Sequence, residues 1–185
     1  MRGGQPTPGP VSRRTEADDQ GSMTTQLHPY VVHFAVALIL LSVVLFFLGK
    51  AGGARPWAGS VLTAARWNLW IGAAFALASI ASGFVDYLAA QCDTDTIAAT
   101  IIHRRSGAVT WWSSLIAGIA VYRTRHRAPG PRLLAWLLLV GVAASTAAAL
   151  GTGLTYDRGL GVDKAWPVET GTCFAMERSG VIALK

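Results

Sequence analysis

The sequence predicts an all-α integral membrane protein, a four-helix bundle running up, down, up and down with both termini outside the cytoplasm. Three observations predict it. Four long runs, Val31–Gly49, Trp67–Val85, Ser106–Tyr122 and Leu133–Tyr156, contain no Asp, Glu, Lys or Arg. A helix needs about 20 mainly apolar residues to cross the hydrocarbon of a bilayer, where it satisfies its own backbone groups internally. The whole chain of 185 residues is 52% hydrophobic and 14% charged, with a mean hydropathy of +0.40, far from a soluble average. Finally, the basic residues alternate. Lys50, Arg55 and Arg66 fall between the first two runs, and Arg123, Arg125, Arg127 and Arg132 between the last two, with no acid in either stretch. By the positive-inside rule those two connections are cytoplasmic. The formal charge of +6 is thereby explained by topology. Nucleic-acid binding, which wants basic residues interleaved with exposed aromatics on one face, is not indicated.

Residues 1–26 are rich in Gly, Pro and charge and are expected to form a disordered tail. They hold no apolar core of a signal peptide, and Met23 is a candidate start. The transmembrane domain covers 27–156. Its first span, about 29–49, opens at His28-Pro29, because proline suits the first helical turn, and Gly52-Gly53 stops it. The second span, about 67–87, opens with Trp67 and Trp70 at the inner interface, where amphipathic rings settle. The third, about 101–122, is the shortest run and borrows Ile101, Ile102 and His103. The fourth, about 133–156, has Trp136 at its inner end, while Tyr30 and Tyr156 mark outer ends. Small residues crowd the second and fourth spans, which predicts close packing between those two helices. Residues 157–185 form an extracytoplasmic tail.

This orientation gathers the polar residues at the outer ends of the helices: His28 and His33 on the first, Asp86 on the second, His103 on the third, and Tyr156, Asp157 and Arg158 on the fourth. An ionisable residue within a span is costly to bury and so points to function. Neutral imidazole ligates haem iron, zinc or copper, which makes His28, His33 and His103 the metal candidates. His28 and His33 lie roughly 140° apart around a helix and do not clamp one ion together. His33 and His103 are the pair expected to bridge two helices as axial ligands of a haem b, with Trp111, Trp112 and Phe34 packed against it. The bland alternatives are a cap for His28, a hydrogen bond across the bundle for His33 and a basic interfacial anchor for His103. Asp86 is expected to pair with Arg104, Arg105 or Arg158. Cys92 and Cys173 both fall outside, where a disulfide can form. With no C-x-x-C, P-loop, H-E-x-x-H or G-x-S-x-G, no enzymatic reaction follows from the residues.

Several segments resemble the signatures of one bacterial membrane family, domain of unknown function 2231. His28-Pro29-Tyr30-Val31-Val32-His33-Phe34 resembles its opening HPxxVHFP. Ser82-Gly83-Phe84-Val85-Asp86-Tyr87 resembles the TGxxDW at the end of helix two, and His103 falls where the family opens helix three with histidine. The segment from Gly151 to Val162 resembles the ending GGELVYRHGVGV. Ala35, Thr155 and Arg158 depart from the proline, acid and histidine expected at those places, which weakens a four-ligand metal site more than a two-ligand haem. The resemblance covers about Leu27–Val162 and implies the four-helix fold and a bacterial inner-membrane location. Relatives joined to Rieske iron–sulfur domains turn the expectation toward electron transfer. The alternatives are a non-catalytic membrane anchor or assembly subunit for a periplasmic redox partner or a homo-oligomer, and a small transporter or proton-handling protein.

Overall fold

A computed structural model describes residues 27–160 and 171–179. Four long helices dominate: α1 (Leu27–Gly52), α2 (Ala58–Ala89), α3 (Thr94–Arg123) and α4 (Pro131–Tyr156). A short α5 (Cys173–Arg178) follows. Strands β1 (Gln91–Cys92) and β2 (Gly171–Thr172) pair antiparallel, Gln91 opposite Thr172 and Cys92 opposite Gly171. The connections between the long helices are short, so consecutive helices run antiparallel as neighbours. Gly53 makes the first turn at φ 58°, a left-handed conformation that glycine adopts without steric cost. Asp93 starts α3 by accepting the Thr96 N–H at 2.7 Å, and Pro131 starts α4 behind Gly130, each a preferred helix opening.

The helices are arranged in a ring in which α1 meets α2 and α4, and α3 meets α2 and α4. Ile39, Phe46, Leu69, Leu137 and Val140 fill the centre. The outward faces are also apolar: Val44, Ile116, Leu138, Leu139 and Val142 are all exposed, as a lipid-facing surface requires. Buried hydroxyls turn back onto their own helices. Ser42 donates to Ile39 O at 2.7 Å, Ser79 to Phe75 O at 2.8 Å and Ser114 to Thr110 O at 2.7 Å, so these three donors are not stranded in hydrocarbon.

Three of the four helices, α1, α2 and α4, are long and apolar enough to cross a membrane. The expected third span is instead the C-terminal part of a 30-residue helix. Its first half carries Asp95, Arg104 and Arg105, and the charge-free part that follows is diluted by Ser106, Thr110, Trp111, Trp112, Ser113 and Ser114, which together hold α3 outside that set. The helices also start earlier than the charge-free runs suggest, so Arg66 sits on α2 rather than in a loop.

The expected packing of the second helix on the fourth is corrected, because these two stand diagonally and the small residues face their ring neighbours instead. A Cβ on Gly72 of α2 would lie 2.9 Å from Ile39 Cγ1 and 3.1 Å from Ile39 N of α1. Short connections place sequential helices side by side, and that is where close approach helps.

At the end of the bundle where α2 meets α3, a small cap is fastened. Cys92 and Cys173 form a disulfide across 81 residues of sequence. The Tyr87 hydroxyl donates to Glu177 Oε2 and lies 3.2 Å from Cys173 O. Arg104 reaches the same carboxylate at 3.1 Å and lies 4.2 Å above the Tyr87 ring. Tyr87, Cys92, Ile97 and Cys173 form a second apolar cluster beneath α5. The disordered tail expected over 1–26, the candidate start at Met23 and most of the C-terminal tail lie outside the described residues.

Candidate functional site

The histidine pair that enters the bundle is His28 with His103. His28, in the first turn of α1, is half-buried and its Nδ1 lies 3.0 Å from Ser82 Oγ on α2. The Ser82 hydroxyl donates its proton to Ser79 O at 3.2 Å, and the His28 ring also engages the Ser79 backbone. His103, ten residues into α3 and half-buried, sets Nδ1 3.1 Å from Ala147 O on α4. Both rings lie at the same end of the bundle, one in the first turn of α1 and the other in the first half of α3.

The partner of His103 fixes its tautomer. A carbonyl oxygen can only accept, so His103 carries its proton on Nδ1 and leaves the Nε2 lone pair free. Metal-binding histidines show this arrangement, with the second ring nitrogen held by a carbonyl or another acceptor. At His28 the partner is a hydroxyl, which can donate or accept, and the Ser79 backbone engages the ring as well.

Glycines make room for both rings. A Cβ on Gly83 would stand 2.7 Å from His28 Cε1, and one on Gly151 would stand 2.9 Å from His103 Cε1. Each glycine lies one helical turn past the backbone group that its histidine engages, Ser79 before Gly83 and Ala147 before Gly151. The two halves of the bundle thus repeat one arrangement: a histidine on the first helix of a hairpin docks against a small-x-x-x-Gly face on the second. In the sequence these spacings read as helix packing, so Ser82, Gly83, Ala147 and Gly151 escaped notice as part of a site.

The other candidates are dispersed. His33 is exposed on the outside of α1, with Nδ1 turned back to Pro29 O. Five residues of helix carry it to a different face from His28, so the structure does not bring it to His103. Among the described residues, no three His, Cys, Asp or Glu side chains gather at metal-binding spacing. Phe34 faces outward and stacks on Phe75 at 5.4 Å, and Trp112 is exposed beside Trp111 at 4.5 Å. Trp111 packs on the central core. Asp86 is half-buried, and the ion pair among the described residues is Arg104–Glu177 rather than one from Asp86. Arg158 reaches Asp95 O at 3.4 Å instead. Tyr156 and Asp157 are exposed at the end of α4, where the Asp157 N–H caps Gly153 O.

The hydrogen bond from Tyr87, aided by the charge of Arg104, holds the Glu177 carboxyl below its ordinary range against the opposing effect of burial. The Thr96 N–H does the same for Asp93 at the start of α3.

No curated protein and no solved structure matches the chain. Residues 24–164 match the family described as predicted membrane protein (DUF2231). That match takes in all four long helices and both histidine docking faces, and the chain belongs to this family.

Proposed function

We propose that this membrane protein is a small redox-associated electron-transfer protein whose centre is held by the Nε2 atoms of His28 and His103. The observation that carries the reading is that each Nδ1 is hydrogen-bonded within the bundle, His28 to Ser82 Oγ and His103 to Ala147 O, so both rings are held at the same end of it. A b-type haem is the group that two imidazoles suit first, and when bound it would supply one-electron chemistry. The chain's own residues orient and insulate. Ser79, Ser82 and Ala147 fix the rings, Gly83 and Gly151 let them lie close to the helix backbones, and the apolar core keeps water away. The basic α1–α2 and α3–α4 connections favour an orientation with the histidines toward the extracytoplasmic face of a bacterial inner membrane.

The test is an absorption spectrum with metal analysis of detergent-purified protein expressed with haem supplied. A Soret band is expected in the wild type and in His33→Ala, and its loss in His28→Ala and in His103→Ala. Colourless, metal-free wild type overturns the reading. Metal without a Soret band keeps the ligand pair and replaces haem by a bare transition-metal ion.

A second reading, favoured by the covalently fastened cap, is a non-catalytic anchor that docks an extracytoplasmic redox partner on α5. Phe174 is 37% exposed there with Arg178 over its ring. In that case Phe174→Ala lowers partner retention while His28→Ala leaves it unchanged.

A further inference from the structure

At the end of the bundle opposite the histidines, a cleft of about 430 Å³ opens between α2 and α3. Arg66 and Ser82 are 16 positions apart on α2, about 24 Å at 1.5 Å per residue, so this cleft is separate from the site above. Arg66, Trp67 and Trp70 form one wall, and Val121, Tyr122 and Arg125 the other. Trp67 is 65% exposed and Tyr122 57%, which sets amphipathic rings at the outside of the bundle, where they favour the head-group level of a bilayer.

The hydrogen bonds of the two arginines go to backbone, and Arg125 also lies 4.4 Å above the Tyr122 ring. Arg66 Nη2 donates to Arg125 O at 2.9 Å, and Arg125 Nη1 donates to Tyr122 O at 3.3 Å. Arg66 Nε is buried with no hydrogen-bond partner among the described residues. The segments around them, 50–66 and 123–132, contain no acid at all. A buried guanidinium nitrogen without an acceptor is costly, and a guanidinium fork suits phosphate oxygens in particular. The remaining wall is apolar, which a free phosphate ion does not use but an acyl chain does.

We propose that this cleft binds an anionic phospholipid of the surrounding bilayer. Its phosphate is held by Arg66 and Arg125, and one acyl chain lies along Trp67, Trp70 and Val121. Basic pockets between transmembrane helices take such head groups elsewhere. Lys50, Arg55, Arg123, Arg127 and Arg132 add attraction for a lipid with net negative charge. Because α2 and α3 are less closely packed than α1 and α2, a lipid wedged between them joins the two hairpins of the bundle.

The experiment titrates full-length protein in mixed micelles with phosphatidylglycerol, with phosphatidylcholine, or with inorganic phosphate and no added lipid. Bound lipid is read by native mass spectrometry and the shift in Tm by thermal unfolding. Phosphatidylglycerol is expected to bind and to raise Tm, and the other two to leave it unchanged. Arg125→Gln is expected to weaken phosphatidylglycerol binding about fivefold, the ratio for roughly 1 kcal/mol per basic residue at an anionic surface. Arg66→Gln also loses its bond to Arg125 O, so Arg125→Gln, whose own lost bond is local, carries the test if Arg66→Gln does not fold. Arg132→Gln removes the same charge outside the cleft and is expected to lose less than twofold. Equal binding of phosphatidylcholine, an equal Tm rise with inorganic phosphate, or equal losses in Arg125→Gln and Arg132→Gln each overturn the proposal.

Discussion

His28 and His33 differ by five positions on one helix, and that difference decides which can act inside the bundle. The sequence made both visible as imidazoles in an apolar setting, but helix phase alone does not say which face looks inward. The contact that decides for His28 lies 54 positions away at Ser82, and that of His103 lies 44 positions away at Ala147, both beyond the reach of local pattern. The glycines beside the rings are equally exacting. Gly83→Ala and Gly151→Ala each force an imidazole to move, and overpacking of this kind costs about 1–3 kcal/mol. Thermal unfolding should show the loss, and it should be smaller when Gly83→Ala is combined with His28→Ala, because the clashing ring is then gone. At the cap, Glu177 has a depressed pKa in the folded protein. Its contribution is therefore complete above the ordinary carboxylate range and is lost as pH falls through the lower folded value. Hydrogen exchange of Cys173–Arg178 should accelerate on acidification through that window, and Glu177→Gln should flatten the dependence.

Among the elements, the four helices were legible because apolar runs of this length without a charge are characteristic of membrane spans. Their ends were less so. The runs mark only the uncharged part of each helix, whereas α2 and α3 continue past Arg66 and past Arg104 and Arg105. Partner choice was misjudged for a similar reason, since a stripe of small residues announces close approach without naming the helix that approaches. Gly72 and Gly107 separate the two uses of helical glycine. At Gly72 a methyl group meets the Ile39 backbone, whereas at Gly107 nothing lies within 4 Å. Gly72→Ala is expected to destabilise the α1–α2 contact by about 1–3 kcal/mol. Gly107→Ala is expected to stabilise by up to about 1 kcal/mol through helix propensity. Opposite shifts in Tm check the pair.

At the scale of the whole molecule, the disulfide restrains the most chain. Closing a loop across a sequence separation of 81 stabilises by at most about 4.5 kcal/mol in the chain-entropy account, and by less where unfolded helices stay in the membrane. Reduction should lower the Tm and release α5 while the four long helices persist, which far-ultraviolet circular dichroism and limited proteolysis would separate. Cys92 and Cys173 were visible as a pair by topology, yet their meeting depends on the β1–β2 bridge and on Tyr87, which no spacing announces.

The bond also has a consequence for how the chain is made. It turns α3 and α4 into a closed covalent hoop and leaves α1 and α2 as an open arm outside it. Cutting the backbone between Thr124 and Gly130 would therefore divide nothing until a reductant is added, and a non-reducing gel would still show one full-length species. The hoop can close only after α4 has been made and the segment behind it has come back to Cys92. Its closure is thus a chemical timestamp, written once, that the last hairpin has been delivered.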